Sequence, residues 1–496
     1  GGPGAHREAL DFLGDFSKSE DLTPETLSAG YARISRDPRS VEEIRRDAAR
    51  QVERARRSNE AIIFGMGHSS VAEHAVFNLD VIGISRLAAE ELQRTRLASY
   101  TEKSQRYITL EGDYLVPEEI GGMGLAERFK EVVSSLNAAY TTLNKGLSAL
   151  MEAKHPGLWA DPKTRSTVEG YAKEDARYVV PLAALTQMGM TANSRVIEMT
   201  IRRLSAHPLA EVRGLSRHIF DAVLPHAPSL IRHTDPTPYD TLTPVEVAAA
   251  AGAATDDGGP PEDREVVRLV DHTPGADERL AAALLFSHGG REYQRCLRQA
   301  EGMGPEEKER LVDAALGRLE SYDRVLREFE LIGLTFEAVV SASNFAQLKR
   351  HRMATIVAQA YDTALGVEVP PAVREAGLTA TFEEAAALSE ALFEEVRRGD
   401  PRAAPYALTN AHRRRVLISL NLRELYHIAR LRMDSTAQWD IRNLATAMAE
   451  AARGVMPLAA RLLAGKDTFD SVRSRSGISP GERTAERMNK PRKEGK

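Results

Sequence analysis

The chain has 496 residues, 42% of them hydrophobic and 28% charged, with a formal net charge of −5. This length implies about two to four domains of ordinary globular composition. The negative balance argues against broad nucleic-acid binding. No apolar run approaches the ~20 residues of a membrane span. Gly1-Gly2-Pro3-Gly4 does not read as a signal peptide, so a cytoplasmic setting is expected. The single cysteine, Cys296, excludes an intrachain disulfide and any multi-cysteine metal site.

The first strong element is AVFNLDVIGIS, in which Val76, Leu79, Val81 and Ile82 mark a half-buried strand. Ser85 to Arg96 reads as a helix leading into RTRLASYTEKSQRY, fourteen positions with three arginines, a glutamate and two serines. Arg94 and Arg96 offer forked cationic donors for a phosphate or an electron-rich ring. Glu102, Ser104 and Arg106 alternate, so on an extended segment they share one face suited to an anionic, hydrogen-bonding ligand. The plainer reading of the stretch is a solvated basic helix end. Leu125 to Met151 and Arg195 to Val223 carry apolar residues at helical spacing.

Between 234 and 262, DPTPYDTLTP and AAGAATDDGGPPED read as a linker. VVRLV (Val266 to Val270) restarts strand structure, and REFELIGLTFEAVVSASNFAQLK reads as strand then helix. Cys296, in the polar segment REYQRCLRQ, is expected on a helix and half-buried. From 467 onward the chain is polar and basic, as in a mobile tail. His207, His218, His226 and His233 lack metal-ligand spacing, so no metal is expected.

The chain also repeats itself. Arg350-His351-Arg352-Met353-Ala354-Thr355 restates the arginine motif 256 residues after Arg94, and Glu330 follows Glu73 by 257. The motifs Gly67-His68-Ser69-Ser70-Val71-Ala72-Glu73-His74 and RTRLASYTEKSQRY, in this order, resemble the signature of flavin-dependent thymidylate synthases. Thr95 and Thr101 depart from it, standing where that family has His and Asn. LNLRELYHIARLRMDSTAQWDIRNLA (Leu420 to Ala445) resembles the family's C-terminal helix, and ANSRVIEMTIRRLSAHPLAEVRGL is a weaker counterpart. The resemblance implies an α+β fold of two tandem modules, each with helices on an antiparallel-rich sheet. The boundaries expected are 1–233, a linker at 234–262, 263–466, and the tail at 467–496.

By resemblance the first half keeps the substrate side. Glu102, Ser104 and Arg106 match positions that hold dUMP, and Arg177 matches a phosphate-binding arginine. His68 matches a histidine implicated in methyl transfer. Ser70 and Glu73, with Arg94 and Arg96, are the first half's candidates for the flavin. The second half keeps the flavin side: Arg350, His351, Arg352, Asn421 and Arg423 match FAD-binding positions. Gln347 matches a nearby substrate position, and Arg432 matches the arginine that faces the pyrimidine. Ala358, Ala360 and Asp362 stand where Glu, Ser and Arg would be, and Val325 where the histidine would be.

The resemblance therefore implies composite sites that methylate dUMP to dTMP with FAD, methylenetetrahydrofolate and NADPH, in a homodimer rebuilding the family's tetramer. Two alternatives stand beside it. One is a related flavoenzyme acting on another uracil nucleotide, to which Glu91, Thr95 and Thr101 could belong. The other is a non-catalytic flavin- or nucleotide-binding paralogue. Such enzymes need no cysteine nucleophile, in keeping with the lone Cys296.

Overall fold

The computed structural model describes residues 23–34, 36–105, 112–255 and 266–478. Arg106, residues 256–262 of the expected linker, and the tail beyond 478 lie outside them. The fold is α+β, with helices around two antiparallel sheets. The chain divides into two compact units: 1–258 with 376–408, and 259–375 with 409–496.

The first unit holds β1 (Val76–Ser85), β2 (Ser99–Glu102) and β3 (Leu185–Asn193), in the order β1-β3-β2. Phe77, Val81 and Ile84 of β1 point into the core while Asn78 and Asp80 are exposed, the alternation of a half-buried strand. The helix Arg86–Leu92 follows directly, with Ser85 as its N-cap accepting from the Ala88 amide. It ends at Leu92, short of the Arg96 expected from sequence, so Arg94 and Arg96 lie in the turn that enters β2. The long helix Ala126–Lys154 buries Phe129, Leu136, Leu143 and Leu147 along one stripe. The helix Thr379–Gly399, from the other half of the sequence, packs within this unit with Phe382, Leu392 and Val396 buried. Tyr406, fully buried, donates to the Glu211 carboxylate at 2.6 Å.

The second unit holds β4 (Val267–His272), β5 (Gly333–Ser341), β6 (Thr355–Ala358) and β7 (Arg413–Asn421), in the order β4-β5-β7-β6. Without β4, this is the first sheet again. Ser99 faces Thr191 in one sheet and Thr355 faces Ser419 in the other, at offsets of 256 and 228 residues. Val76 faces Asn193, and Gly333 faces Asn421, at offsets of 257 and 228. The one-residue discrepancy has a local cause. The register of β1 shifts between Ile82 and Ile84, where Gly83 takes φ 73°, so a bulge adds one residue that β5 lacks. Glu73 and Glu330 lie before the bulge and the arginine motifs after it.

Other segments differ from the sequence reading. Residues 238–254 of the expected linker form the helices Pro238–Thr241 and Thr243–Ala254, neither with a buried residue. Ordered structure continues past 467 through the helix Phe469–Arg475, whose Phe469 is fully buried. Cys296 lies on the helix Tyr293–Gly302 but is buried rather than half-exposed, packed with Ala281, Ala282 and Ala300. Among the described residues, no helix is long and apolar enough to cross a membrane, and no acidic, His or Cys group suits a metal ion.

Candidate active site

In the first unit the site grows from the edge strand β2. Of the alternating trio, Glu102 lies on that strand and Ser104 follows it, half-buried, while Arg106 is outside the described residues. The Glu102 carboxylate accepts from the Arg86 guanidinium, from Gln93 Nε2 at 3.0 Å and from Thr186 Oγ1 at 3.2 Å. Its side chain is 2% exposed, so the negative charge is held inside a donor cage supplied by β3 and the preceding helix. Arg177, on a turn after the helix Pro162–Ala176, is 6% exposed, and its Nε donates to the Glu174 carbonyl at 3.2 Å.

His68 and Ser70 are exposed on the loop and 3-10 turn before β1, and Glu73 on the same turn pairs with Arg195. Arg94 and Arg96 are also exposed. Arg94 Nη1 meets Glu91 Oε2 at 3.0 Å, and Arg203 and His207 approach the same oxygen at 3.6 and 3.8 Å. Burial pushes the Glu91 carboxyl up, but Arg94, His207 and Arg203 outweigh it and hold the group below its ordinary value. Arg203 Nη2 donates to the Glu91 carbonyl at 2.9 Å and to Thr95 Oγ1 at 3.1 Å.

The second unit builds the corresponding corner from the helix Ala342–Leu348, capped by Ser341, and the helix Leu422–Arg432, capped by Asn421. Arg350 and Arg352 are exposed on either side of His351, which is 3% exposed. Arg432 Nε donates to His351 Nε2 at 2.9 Å, and its Nη2 donates to the Gln347 carbonyl at 3.3 Å. Burial pushes His351 below the ordinary imidazole range, against the pull of Glu424 and with the help of Arg432, so the ring is neutral at pH 7. Arg423 pairs with Glu330, and its Nε donates to the Val325 carbonyl at 3.0 Å. Asn421 Oδ1 accepts from the Glu424 amide at 2.9 Å, so its oxygen serves the helix N-terminus.

The model of the thymidylate synthase complementing protein family matches residues 19–229 and again 268–458. The chain belongs to that family. The UPF0159 protein Ta1429 of Thermoplasma acidophilum is 24% identical over 478 residues, 90% of this chain and 95% of its own. A flavin-dependent thymidylate synthase of Clostridium tetani is 29% identical over 47% of this chain and 90% of its own. That of Geobacter sulfurreducens is 33% identical over 35% of this chain and 67% of its own. Among solved structures, a UMP/dUMP methylase from Streptomyces cacaoi covers 43% of this chain and 97% of its own at 16% identity and a TM-score of 0.33, too slight a likeness to bear on chemistry.

Three polar residues of this family member acquire their roles only in the structure. Arg203 makes in the first unit the two contacts that Arg432 makes in the second, to the carbonyl of Glu91 or Gln347 and to the side chain of Thr95 or His351. Asn193 caps its helix as Asn421 does, and Arg195 pairs with Glu73 as Arg423 pairs with Glu330. The Asn-x-Arg spacing at Asn193 was visible in sequence. Arg203 was harder to find, because it follows its asparagine by ten residues and Arg432 follows its own by eleven. At the register of Glu102 the second sheet carries Ala358, facing Val416 as Glu102 faces Met188. Asp362, in the place of the motif's last arginine, caps a short turn through the Ala364 amide.

Proposed function

We propose that the protein is an FAD-dependent enzyme that methylates dUMP to dTMP, with methylenetetrahydrofolate as carbon donor and NADPH as reductant. Its working site draws on both halves. One observation carries the reading: the two units have lost different parts of the same residue set. Glu102 sits in its donor cage in the first unit, where Ala358 occupies that register in the second. Arg432, His351 and Gln347 form a neutral-backed cationic corner in the second unit. In the first, Arg203 faces the Glu91 carboxylate instead. Decay of a useless copy would be expected to strike both sets alike.

The donor set suits FAD: Arg350 and Arg352 are exposed guanidinium forks flanking a buried histidine, apt for a pyrophosphate. FAD, when bound, supplies the hydride chemistry. Arg432 stabilises negative charge that develops on the uracil oxygens. Glu102 and Ser104 orient the nucleotide, and Arg106 and Arg177 hold its phosphate. Gln347 lies beside the pyrimidine. Arg94 and Arg96, with Ser70, Glu73, Asn421 and Arg423, complete the flavin contacts, and His68 positions the carbon unit. A homodimer of the two-module chain would restore the four-module assembly with half the sites working.

The test is the visible spectrum of the FAD-loaded protein titrated with dUMP, alongside dTMP formation. A shift that Arg432→Ala and Arg106→Ala each abolish supports one site with contributions from both halves. Mixing these two inactive variants reports on chain crossing: recovered activity means that the site joins halves of different chains. Bound FAD that ignores dUMP but responds to another uracil nucleotide would move the substrate assignment.

A further inference from the structure

Glu424 takes no part in the ligand contacts proposed above, yet its carboxylate is buried. Oε1 stands 3.6 Å from Nδ1 of His351, with the two side chains 8% and 2% exposed. Nδ1 has no hydrogen-bond partner within ordinary range, so this carboxylate, slightly too distant for a full bond, is the acceptor it faces. The other ring nitrogen shows which tautomer is present. Nε2 lies 2.9 Å from Arg432 Nε, and a guanidinium only donates. Nε2 therefore carries the lone pair, and the proton of the neutral ring sits on Nδ1, towards Glu424.

The duplicated corner supplies an internal comparison. Val196 stands where Glu424 does: each amide donates to the asparagine that caps its helix. Thr95 stands where His351 does, accepting from Arg203. A hydroxyl rotates to accept from whatever side a donor approaches, so it needs no partner to select a tautomer. Where the histidine is absent the acid is absent as well. Packing alone would not demand that pairing, because an apolar residue already fills the position in the first unit.

We propose that Glu424 is a positioning residue: it holds His351 as the Nδ1–H tautomer, so that Nε2 accepts from Arg432 and sets the plane of the guanidinium used at the pyrimidine. The catalytic part of this inference rests on the function proposed above; the tautomer does not. The Gln347 carbonyl, at 3.3 Å from Nη2, supplies the second point that fixes the plane.

The experiment is long-range nitrogen–proton NMR on full-length protein labelled at histidine, with His351→Gln used to assign the ring. The wild type is expected to show the Nδ1–H form. Glu424→Val is expected to show the Nε2–H form or a mixture, and Glu424→Gln, whose amide oxygen still accepts, to keep the wild-type form. Nδ1–H persisting in Glu424→Val would overturn the proposal. In parallel, Glu424→Val should lower kcat for dTMP formation by roughly 10- to 100-fold, by analogy with the loss of a carboxylate that orients a metal-ligating histidine. Glu424→Gln should recover most of that loss. In a His351→Thr background Glu424→Val should add nothing, since there is no ring left to orient; an equal loss in that background would mean that Glu424 acts independently of His351. A correct tautomer response in a protein whose flavin ignores dUMP would sink the functional reading and leave the positioning role standing.

Discussion

Arg432 and Glu102, one in each unit, are the residues on which the proposed function turns. Arg432 donates to the His351 ring and to the Gln347 carbonyl, two contacts that orient its guanidinium. Arg432→Ala is expected to slow dTMP formation by about 100- to 1,000-fold, as for removal of one preorganised charge-stabilising donor; single-turnover flavin oxidation would measure it. Glu102 also has a structural debt, because Arg86 is buried against it. Glu102→Ala strands that guanidinium and is expected to cost about 3–5 kcal/mol in urea unfolding. Replacing both residues with apolar ones of similar volume should recover most of the stability but none of the nucleotide response. If the single and double variants unfold alike, the cage is not what holds this strand edge.

At the scale of elements, short capped helices place the chemistry. Ser85 and Ser341 cap the helices that lead to the arginine motifs, and each hydroxyl is in turn held by an acid, Glu211 or Asp440, at 2.7 and 2.6 Å. Tyr406 donates to that same Glu211, tying the segment 376–408 to the helix cap in the first unit. Tyr406→Phe removes a bond to a carboxylate and is expected to cost about 1.5–3 kcal/mol. Amide exchange should quicken in the helix Arg86–Leu92 as well as around Tyr406; a change confined to Tyr406 would show that the cap is independent of it. The motif letters were legible in sequence, but the length of this helix was not. The apolar pattern runs on towards Leu97, whereas the backbone must turn after Leu92 to bring Ser99 opposite Thr191.

At the scale of the whole molecule, histidines drawn out of solvent couple stability to pH. Burial pushes the buried His351 and the half-buried His207 below the ordinary imidazole value of 6.5. Near pH 8 the folded and unfolded forms are both neutral at these rings. As pH falls through 6.5 the unfolded chain takes up protons that the folded chain refuses, so stability should decline from there downward. Urea midpoints between pH 8 and 5 would measure this, and His351→Gln should flatten the slope. An unchanged slope in that variant would mean that His351 protonates as readily folded as unfolded.

The sequence by itself determined the duplication, the order of the motifs and the unequal loss between halves, because residue identity and spacing are written in it. Even the offsets of 256 and 257 recorded the β1 bulge before its cause was visible. Tertiary structure decided what depends on where side chains end: Arg203 as the twin of Arg432, the cage around Glu102, and the acid behind His351. It also assigned the segment 376–408 to the first unit, which no local pattern announces. Propensity and periodicity act over a few residues, whereas Thr379–Gly399 is placed by apolar surface that it buries against residues more than two hundred positions away.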